Sequence, residues 1–373
     1  MPQPSASTPS HRVALTVVVP FHRNLDQLRR CLGALQAATR VAAASVDFVE
    51  IIVAADGALD DPAAAAAAAG ALVVTIDGPR GPAVARNRAA AEGTGTILVF
   101  VDADVVVSET VLAVFAERFA SDPDLGAAFG AYDEAPADPG FFSQCRNLAH
   151  SFVHQRANRD ASTFWAGLGA IRADVFAAVH GFDERFTRPS VEDIDLGYRV
   201  RAAGFRILLD ATIQGKHLKR WTLGSSIRSD LVDRGIPWTQ LMQRYDGMRN
   251  DLNVSIAYRI CVVLAYLLLA SLVAALRWPI ALVAVPAIAV ALWFLDHPYY
   301  RFFVSRRGWW FTMRWYPFHV LHHLCNGVSF AAGTALCVLQ RVGVTARATL
   351  PASRWDGLGT GDATDTHPSV AHL

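Results

Sequence analysis

The sequence is poor in lysine and has no basic stripe, and these two features bear on which partners the protein could bind. Only two of its 34 basic residues are lysines, Lys216 and Lys219, and the formal net charge is +1. This charge pattern, with no RNA-binding motif, argues against a nucleic-acid partner. Charged residues make up 18% of the chain and apolar residues 53%. That combination indicates a soluble domain joined to membrane segments.

Cysteine is also scarce, and no C-x-x-C pair occurs. The five cysteines are scattered along the chain: Cys31, Cys145, Cys261, Cys325 and Cys337. Their spacing gives neither a zinc-ligand pattern nor a disulfide framework, and it suits a reducing compartment. A secretion signal is not evident, because the apolar run from Val13 to Val19 is short and leads into Pro20. We therefore expect the first domain to stay in the cytoplasm.

What the first hundred residues contain is an alternation of apolar runs and helical patterns. Runs at 13–19, 48–53 and 72–76 have the length and β-branched content of buried strands, and a helix capped by Asn24 is predicted after the first. Such alternation predicts a Rossmann-like, mostly parallel sheet. It would also allow a dinucleotide-dependent oxidoreductase, but no G-x-G-x-x-G follows the first strand.

The most informative stretch is the apolar run 97–101, which ends in Asp102 and Asp104. Ligands of open α/β sheets gather beyond the carboxyl ends of the strands, and alternation along a strand points both carboxylates the same way. Carboxylates suit Mg²⁺ or Mn²⁺ bound to substrate phosphates. The alternative is an ordinary Asp-rich turn after a strand.

Two further residues follow predicted strands in a similar way. Asp56 ends the second strand, and Arg86 lies in a helix that opens after the glycine-rich loop 77–82. A carboxylate can accept hydrogen bonds from a nucleobase, and a guanidinium can stand by a phosphate or a base. A turn aspartate and a solvated helix arginine are the alternatives for each residue alone.

The second half of the predicted domain adds acidic and basic groups. Ser190 is the predicted N-cap of a helix that begins with Glu192 and Asp193. These acids either complement the helix dipole or supply a base in a cleft. Farther on, the stretch 216–221 combines two lysines with His217, an arginine and a tryptophan. It suits an anionic leaving group and a sugar ring, or else a juxtamembrane basic patch.

In this order, the motifs resemble the family-2 glycosyltransferases of the GT-A fold. The resemblance covers residues 13 to about 245 and rests on the segments 17–20, 56–57, 81–87, 102–104, 167–172, 181–184 and 192–193. The stretch 217–221 is similar to the Gln-x-x-Arg-Trp element of the membrane-bound synthase branch. His217 replaces the glutamine of that element, which weakens any inference of processive polymer synthesis. Ala58 and Ala89 are two further departures, from a serine and a glycine.

The resemblance implies an inverting transfer of a sugar from a nucleotide-diphosphate sugar. Its catalytic residues would be Asp193, as general base, and Glu192. The implied contacts with the nucleotide sugar are Pro20, Asp56, Arg86, Asp102 and Arg220, and those with the acceptor are Trp165, Gly167 and Trp221. Asp104 would ligate a divalent metal, Mg²⁺ or Mn²⁺, with His217 as an additional ligand.

The last third of the sequence predicts membrane association. Val254–Leu276, Pro279–Leu295 and Pro317–Leu339 are near the length of spanning helices, which gives two to three spans. Four arginines between 299 and 316 fit the cytoplasmic side of an inner membrane. His319, His322 and His323 share a helical face, as ligands of a metal or lipid phosphate or as buried partners.

These patterns predict four parts: a disordered segment 1–12, a GT-A domain 13–250, a membrane domain 251–341 and a disordered polar tail 342–373. The catalytic domain is expected to face the cytoplasm, where the acceptor would be a lipid-linked or membrane-associated glycan. The alternative is a membrane-anchored nucleotide-sugar-binding or scaffold protein with weak or no transferase activity.

Overall fold

The computed structural model of the protein describes residues 12–245 and 256–342. The predicted tail from 343 onward and nearly all of the predicted disordered N-terminus lie outside the described residues, as does the start of the first predicted span. The described residues form an α/β domain followed by a group of long apolar helices.

The domain is organised around one eight-stranded sheet. In chain order its strands are β1 (Val13–Phe21), β2 (Val46–Asp56), β3 (Leu72–Ile76), β4 (Ile97–Val101), β5 (Val105–Val107), β6 (Leu125–Tyr132), β7 (Leu168–Arg172) and β8 (Arg206–His217). Their spatial order is β3-β2-β1-β4-β7-β6-β8-β5. The sheet is therefore mixed, with a parallel half from β3 to β4 and a second half in which β7 and β5 run antiparallel to their neighbours.

Helices cover the sheet and continue beyond it. They are α1 (Leu25–Ala42), α2 (Ala63–Ala68), α3 (Pro82–Glu92), α4 (Val111–Ser121), α5 (Phe141–Arg156), α6 (Ala173–Ala178), α7 (Glu192–Ala202), α8 (Leu223–Arg228), α9 (Gly235–Arg244), α10 (Ile256–Ala275), α11 (Ala284–Leu295) and α12 (His297–Arg341). A π-helical turn, Ser229–Asp233, separates α8 from α9. A 3-10 turn, Pro279–Val283, precedes α11.

The parallel half follows from its apolar runs. Strands β1 and β4 lie in the middle of the sheet with both faces covered, so nearly every side chain in them is buried. Near-continuous apolar runs are what such doubly covered parallel strands require. The predicted cap of α1 is confirmed, because the side chain of Asn24 accepts a hydrogen bond from the N–H of Gln27 at 3.3 Å.

The predicted cap of α7 is wrong. That helix begins at Glu192 after Val191 and has no side-chain cap. The hydroxyl of Ser190 instead donates to the carbonyl of Asp233 at 2.7 Å. Ser190 therefore joins the start of α7 to the π-helical turn through a tertiary hydrogen bond.

The C-terminal helices lie against the second half of the domain. α12 packs against α9 and the π-helical turn, with Ser329 donating to the carbonyl of Asp230 at 2.8 Å. Gly308, with φ of +80°, interrupts α12 near its start. α10 is long and apolar enough to cross a membrane. The segment 279–295 and α12 together have the length and apolar composition of a second span, and they meet at a bend of 78°.

Candidate active site

Backbone pairing brings the predicted site segments to one end of the sheet. The N–H of Asp102 donates to the carbonyl of Gly167 at 3.1 Å, and the N–H of Leu218 donates to the carbonyl of Asp104 at 2.8 Å. Strand β5 then pairs with the end of β8, with Val105 opposite His217. The carboxyl end of β4, the start of β7 and the end of β8 therefore surround one cleft.

Asp104 and His217 lie in direct contact at this end of the sheet. Nε2 of His217 lies 3.3 Å from Oδ2 of Asp104, and Nδ1 lies 2.8 Å from Oδ1 of Asn147. An amide oxygen is an acceptor, so Nδ1 donates to Asn147 and the second ring nitrogen, Nε2, faces Asp104. The ring also stacks on Tyr132 at a centroid distance of 4.3 Å. A carboxylate beside an imidazole held through its other nitrogen is the arrangement of a metal-binding pair.

The electrostatic surroundings keep Asp104 ionised. Burial alone would raise the pKa of its carboxyl, but the neighbouring His217 and Lys219 lower the pKa below its usual value. Asp104 can therefore bind a cation without first losing a proton. Oxygen and imidazole nitrogen are donors that suit a divalent ion, so the residues present fit the predicted metal.

Arg86 is buried and not solvated. Its two terminal nitrogens donate to Oδ1 of Asp102 at 2.8 Å and to Oε1 of Glu192 at 2.9 Å. Its guanidinium carbon lies 5.3 Å from the ring centroid of Phe182. Burial alone would lower the pKa of Arg86, but Asp102 and Glu192 raise it. Arg86 thus joins the end of β4 to the start of α7, and a contact of Arg86 with the nucleotide stays a prediction.

The two neighbouring acids at the start of α7 have different surroundings. Glu192 is occupied on both oxygens, by Arg86 and by the N–H of Ser190 at 2.8 Å. Asp193 has no salt bridge within the described ranges. It accepts hydrogen bonds from the N–H groups of Ala166 at 3.3 Å and Ile194 at 2.9 Å. Burial and the charge of Glu192 raise the pKa of Asp193 to about 6. Asp193 is therefore the carboxylate suited to accept a proton near neutral pH.

Asp56 holds the loop before α3. Its carboxylate accepts from the N–H groups of Arg80 at 2.8 Å and Gly81 at 2.7 Å. Gly81 has φ of +103°, and a Cβ there would lie 2.7 Å from the backbone of Thr187, so the loop needs glycine at this position. An open groove runs beside it, lined by the ends of β2 and β3 and the loop 57–62. Pro20 lies nearby on β1, in register with Ala54.

Two of the predicted acceptor residues form a wall of the cleft. Trp165 is 7% exposed and packs edge-on against Tyr132 at a centroid distance of 4.7 Å. A Cβ at Gly167 would lie 2.7 Å from the indole of Trp165, so glycine lets the ring lie against the backbone. Their contact with an acceptor stays a prediction.

The basic stretch lies at the edge of the cleft nearest the C-terminal helices. Nζ of Lys219 lies 4.1 Å over the ring of Trp221, and the guanidinium carbon of Arg146 lies 5.3 Å from the same ring. The backbone N–H of Trp221 donates to Oγ of Ser143 at 2.8 Å. Arg220 is exposed, and no salt bridge is recorded for it in the described part of the chain. This edge therefore carries positive charge and an aromatic surface.

Sequence reasoning missed three residues of the site. Asn147 holds His217 from α5, and Tyr132 stacks on the same imidazole from β6. Arg234, after the π-helical turn, acts electrostatically on Asp193 and works against the rise in its pKa. Asn147 could have been noticed in the sequence, since it is a polar residue at helical spacing within the buried face of α5. No spacing marks the other two.

The mixed sheet, with acidic residues beyond the carboxyl end of β4, defines a GT-A type α/β fold. A likeness to the solved structure of a mannosyltransferase from Pyrobaculum calidifontis, in complex with GDP-Man and Mn²⁺, supports this fold. It has a TM-score of 0.54 at 16% identity and covers 91% of each chain. The likeness therefore extends beyond the sheet domain.

Residues 16–179 match the family model described as glycosyl transferase family 2. Two curated relatives are both named validoxylamine A glucosyltransferase. The one from Streptomyces hygroscopicus subsp. limoneus is 29% identical over 236 residues, covering 54% of this chain and 51% of the relative. The one from subsp. jinggangensis (strain 5008) is 28% identical over 228 residues, covering 52% and 53%. The chain thus spans about half the length of these relatives.

Proposed function

We propose that the protein is an inverting, metal-dependent glycosyltransferase with Asp193 as its general base. The observation that carries the proposal is Asp193, a buried carboxylate with a pKa raised to about 6. It accepts from the N–H of Ala166, and the carbonyl of the next residue, Gly167, pairs with the N–H of Asp102, two residues before Asp104. The family match of residues 16–179 and the glucosyltransferase names of the relatives support a sugar transfer.

Asp193 would take the proton of an acceptor hydroxyl while the oxygen attacks the anomeric carbon from the face opposite the leaving diphosphate. A positioned base of matched pKa is typically worth about 10²–10⁴-fold in rate. The N–H of Ala166 orients one oxygen of the base. Glu192 acts as a positioning residue, because its negative charge raises the pKa of Asp193 while its own oxygens are held by Arg86 and Ser190.

Asp104 and His217 would hold the divalent ion. When bound, this ion supplies Lewis-acid neutralisation of the nucleoside diphosphate. Mg²⁺ prefers an all-oxygen shell, whereas an imidazole nitrogen favours a transition metal. We therefore propose Mn²⁺ over Mg²⁺ for this chain, and the Mn²⁺ of the Pyrobaculum calidifontis complex is in keeping with that choice.

The donor would lie along the ends of the parallel strands. The open groove beside Asp56 has room for a nucleobase, and the partly exposed carboxylate of Asp102, with 34% of its side chain accessible, can accept from a ribose hydroxyl. Lys219 and Arg220 would face the diphosphate from the edge of the cleft. A nucleoside-diphosphate hexose is the donor class that these groups fit.

The acceptor would be a lipid-linked or membrane-associated glycan. Trp221, at the edge of the cleft, is followed by α8 and α9, and α9 packs directly on α12. The C-terminal helices expose large apolar side chains, among them Trp278, Trp309 and Trp310 at 60–77% exposure. Such surface suits the membrane interface, where tryptophan is enriched. The acceptor side of the cleft would then face a bilayer, with the catalytic domain on the cytoplasmic side.

The donor and metal assignments can be tested on the purified full chain in detergent. A panel of nucleotide sugars is screened for thermal stabilisation and for slow hydrolysis, with Mn²⁺ or with excess chelator. We expect one donor to stabilise the protein only with Mn²⁺, and Asp104→Asn to abolish both readouts. Asp124→Asn, an exposed aspartate outside the cleft, serves as the control. Hydrolysis undiminished in chelator would contradict the metal assignment, and no response to any donor would favour the scaffold alternative.

The acceptor assignment needs a separate assay. Native membranes containing the protein are incubated with labelled donor, and the label is followed into organic solvent and into the membrane pellet. We expect labelled lipid or glycan that is missing with Asp193→Asn membranes. Transfer to soluble sugars alone, with no label in lipid or membrane, would contradict it.

A further inference from the structure

Three side chains that are distant in the sequence meet among the C-terminal helices. Cys261 lies on α10, Asp296 between α11 and α12, and His323 on α12. One donor atom from each lies within 4.8 Å of the other two. Nε2 of His323 is 3.0 Å from Oδ2 of Asp296. The thiol and the imidazole are buried, at 0% and 1% exposure.

The surroundings of this cluster are apolar except for a few aromatic and imidazole groups. Leu292 and Val320 pack around Cys261. Tyr258 lies against His323 with ring centroids 4.7 Å apart. Nδ1 of His319 is 3.9 Å from Oδ2 of Asp296 and shares a hydrogen bond with the hydroxyl of Tyr300 at 2.8 Å.

Within the described residues, the charge of one group of the cluster and the hydrogen bonding of another are incompletely satisfied. The salt-bridge partners of Asp296 there are the imidazoles of His319 and His323, with no lysine or arginine among them. Nδ1 of His323 is buried without a hydrogen-bond partner. Burying a carboxylate without a cation is costly. A metal ion among the thiol, the carboxylate and the imidazole would offset that cost and would fix the three helices relative to one another.

We propose that Cys261, Asp296 and His323 form a second metal site, which binds Zn²⁺. Sulfur, nitrogen and oxygen donors from three residues are a ligand set that zinc accepts, with a fourth position open to water or another side chain. Binding releases the thiol proton of Cys261 to solvent, so a thiolate and a carboxylate together neutralise the ion while the imidazole stays neutral. A thiolate disfavours Mg²⁺ and Mn²⁺, which separates this site from the Asp104–His217 pair.

The site lies near the end of α10 that is closest to the catalytic domain. Cys261 is five residues after Ile256, a rise of about 8 Å along a helix. The residue before His323 is His322, whose Nδ1 bonds to Asp230 of the π-helical turn at 2.6 Å. Zinc bound there would hold the three helices where they meet the catalytic domain, a structural role independent of the proposed sugar transfer.

The first test is the zinc content of the purified full chain, loaded with Zn²⁺ in detergent, desalted and analysed by mass spectrometry of the metal. We expect about one zinc per chain in the wild type and a loss in Cys261→Ser and in His323→Gln. Cys337→Ser is the matched control, a half-buried thiol on α12 outside the cluster. Asp104→Asn should also keep its zinc, which separates this site from the catalytic cleft.

Cobalt gives a second readout, whose first measurement is made on the wild type alone. Co²⁺ in place of zinc should show a thiolate charge-transfer band in the near ultraviolet of the wild type, and Zn²⁺ should displace it. The band should be missing in Cys261→Ser and present in Cys337→Ser. The proposal would be overturned if the wild type retained no zinc or lacked the band, or if Cys261→Ser kept its zinc. The three side chains would then form a metal-free, hydrogen-bonded cluster.

Discussion

The two halves of the sheet treat their polar side chains differently. In the parallel half, Asp56 is held by two backbone N–H groups and Arg86 by two carboxylates. In the mixed half, the hydrogen-bond partners of the Asp193 carboxylate in the described chain are backbone N–H groups, and its pKa is raised to about 6, while His217 lies 3.3 Å from Asp104. The parallel half thus supplies a fixed frame, and we expect the proposed base and the proposed imidazole ligand to come from the mixed half.

Because of this difference, we expect mutations in the two halves to change different properties of the protein. Removing a group of the frame leaves buried charges without partners and should reduce stability. Removing a group that faces the cleft should reduce turnover or metal affinity while the fold stays intact. The variants below separate these outcomes.

The largest expected effect is on turnover. Asp193→Asn keeps the shape of the side chain but cannot accept a proton, so we expect kcat to fall about 10²–10⁴-fold. Donor affinity should stay within a few-fold, as measured by titration of the purified protein. Asp174→Asn is the matched control, because Asp174 also accepts from the N–H that follows it at a helix start but is exposed. Retained turnover with lost donor affinity would contradict the assignment.

The next effect is on stability. Arg86→Met removes the cation shared by Asp102 and Glu192 and leaves Glu192 buried and unpaired. Breaking a buried pair costs about 3–5 kcal/mol of the free energy of unfolding. Thermal or denaturant unfolding in the absence of donor measures it, with Arg88→Met, an exposed arginine of the same helix, as the control. Unchanged stability with weakened donor binding would place Arg86 among the ligand-facing residues instead.

A smaller effect is expected one contact away from the metal. Asn147→Leu removes the acceptor that fixes the ring of His217, and changes of this kind typically weaken metal affinity about 10–100-fold. Titration of donor hydrolysis with Mn²⁺ measures the affinity. Gln155→Leu, which removes an amide on the same helix that donates to Ser151, should leave the affinity unchanged. Equal Mn²⁺ affinities in the two variants would show that His217 is not a ligand.

The parallel half could be predicted from the sequence because its strands are continuous apolar runs. The mixed half could not, since the pairing of β5 with β8 joins Val105 to His217 across more than a hundred residues. Part of that half did leave a local sign. From Asp210 to His217 polar and small or apolar residues alternate, and the strand continues through this stretch where the apolar run alone ends at Asp210. The period-two pattern predicts such a strand.

The contacts of the site were harder to predict than its members. Asp104 and His217 are in contact, and Arg86 joins Asp102 to the start of α7, where Asp193 lies. That Arg86 would hold Glu192, or that Asn147 would bond to the ring of His217, depends on separations of 106 and 70 residues. Ser190 shows the same limit, because its hydroxyl donates to the carbonyl of Asp233, 43 residues away in the sequence.

The central claim is that Asp193 is the base, and the pH dependence of kcat/KM tests it most directly. With Mn²⁺ saturating, the ionised fraction of Asp193 should set the rate. We therefore expect kcat/KM to rise about tenfold per pH unit below about pH 6 and to level off above it. The inflection should disappear from the residual activity of Asp193→Asn. A profile that is flat through that range in the wild type, or the same inflection in Asp193→Asn, would contradict the account.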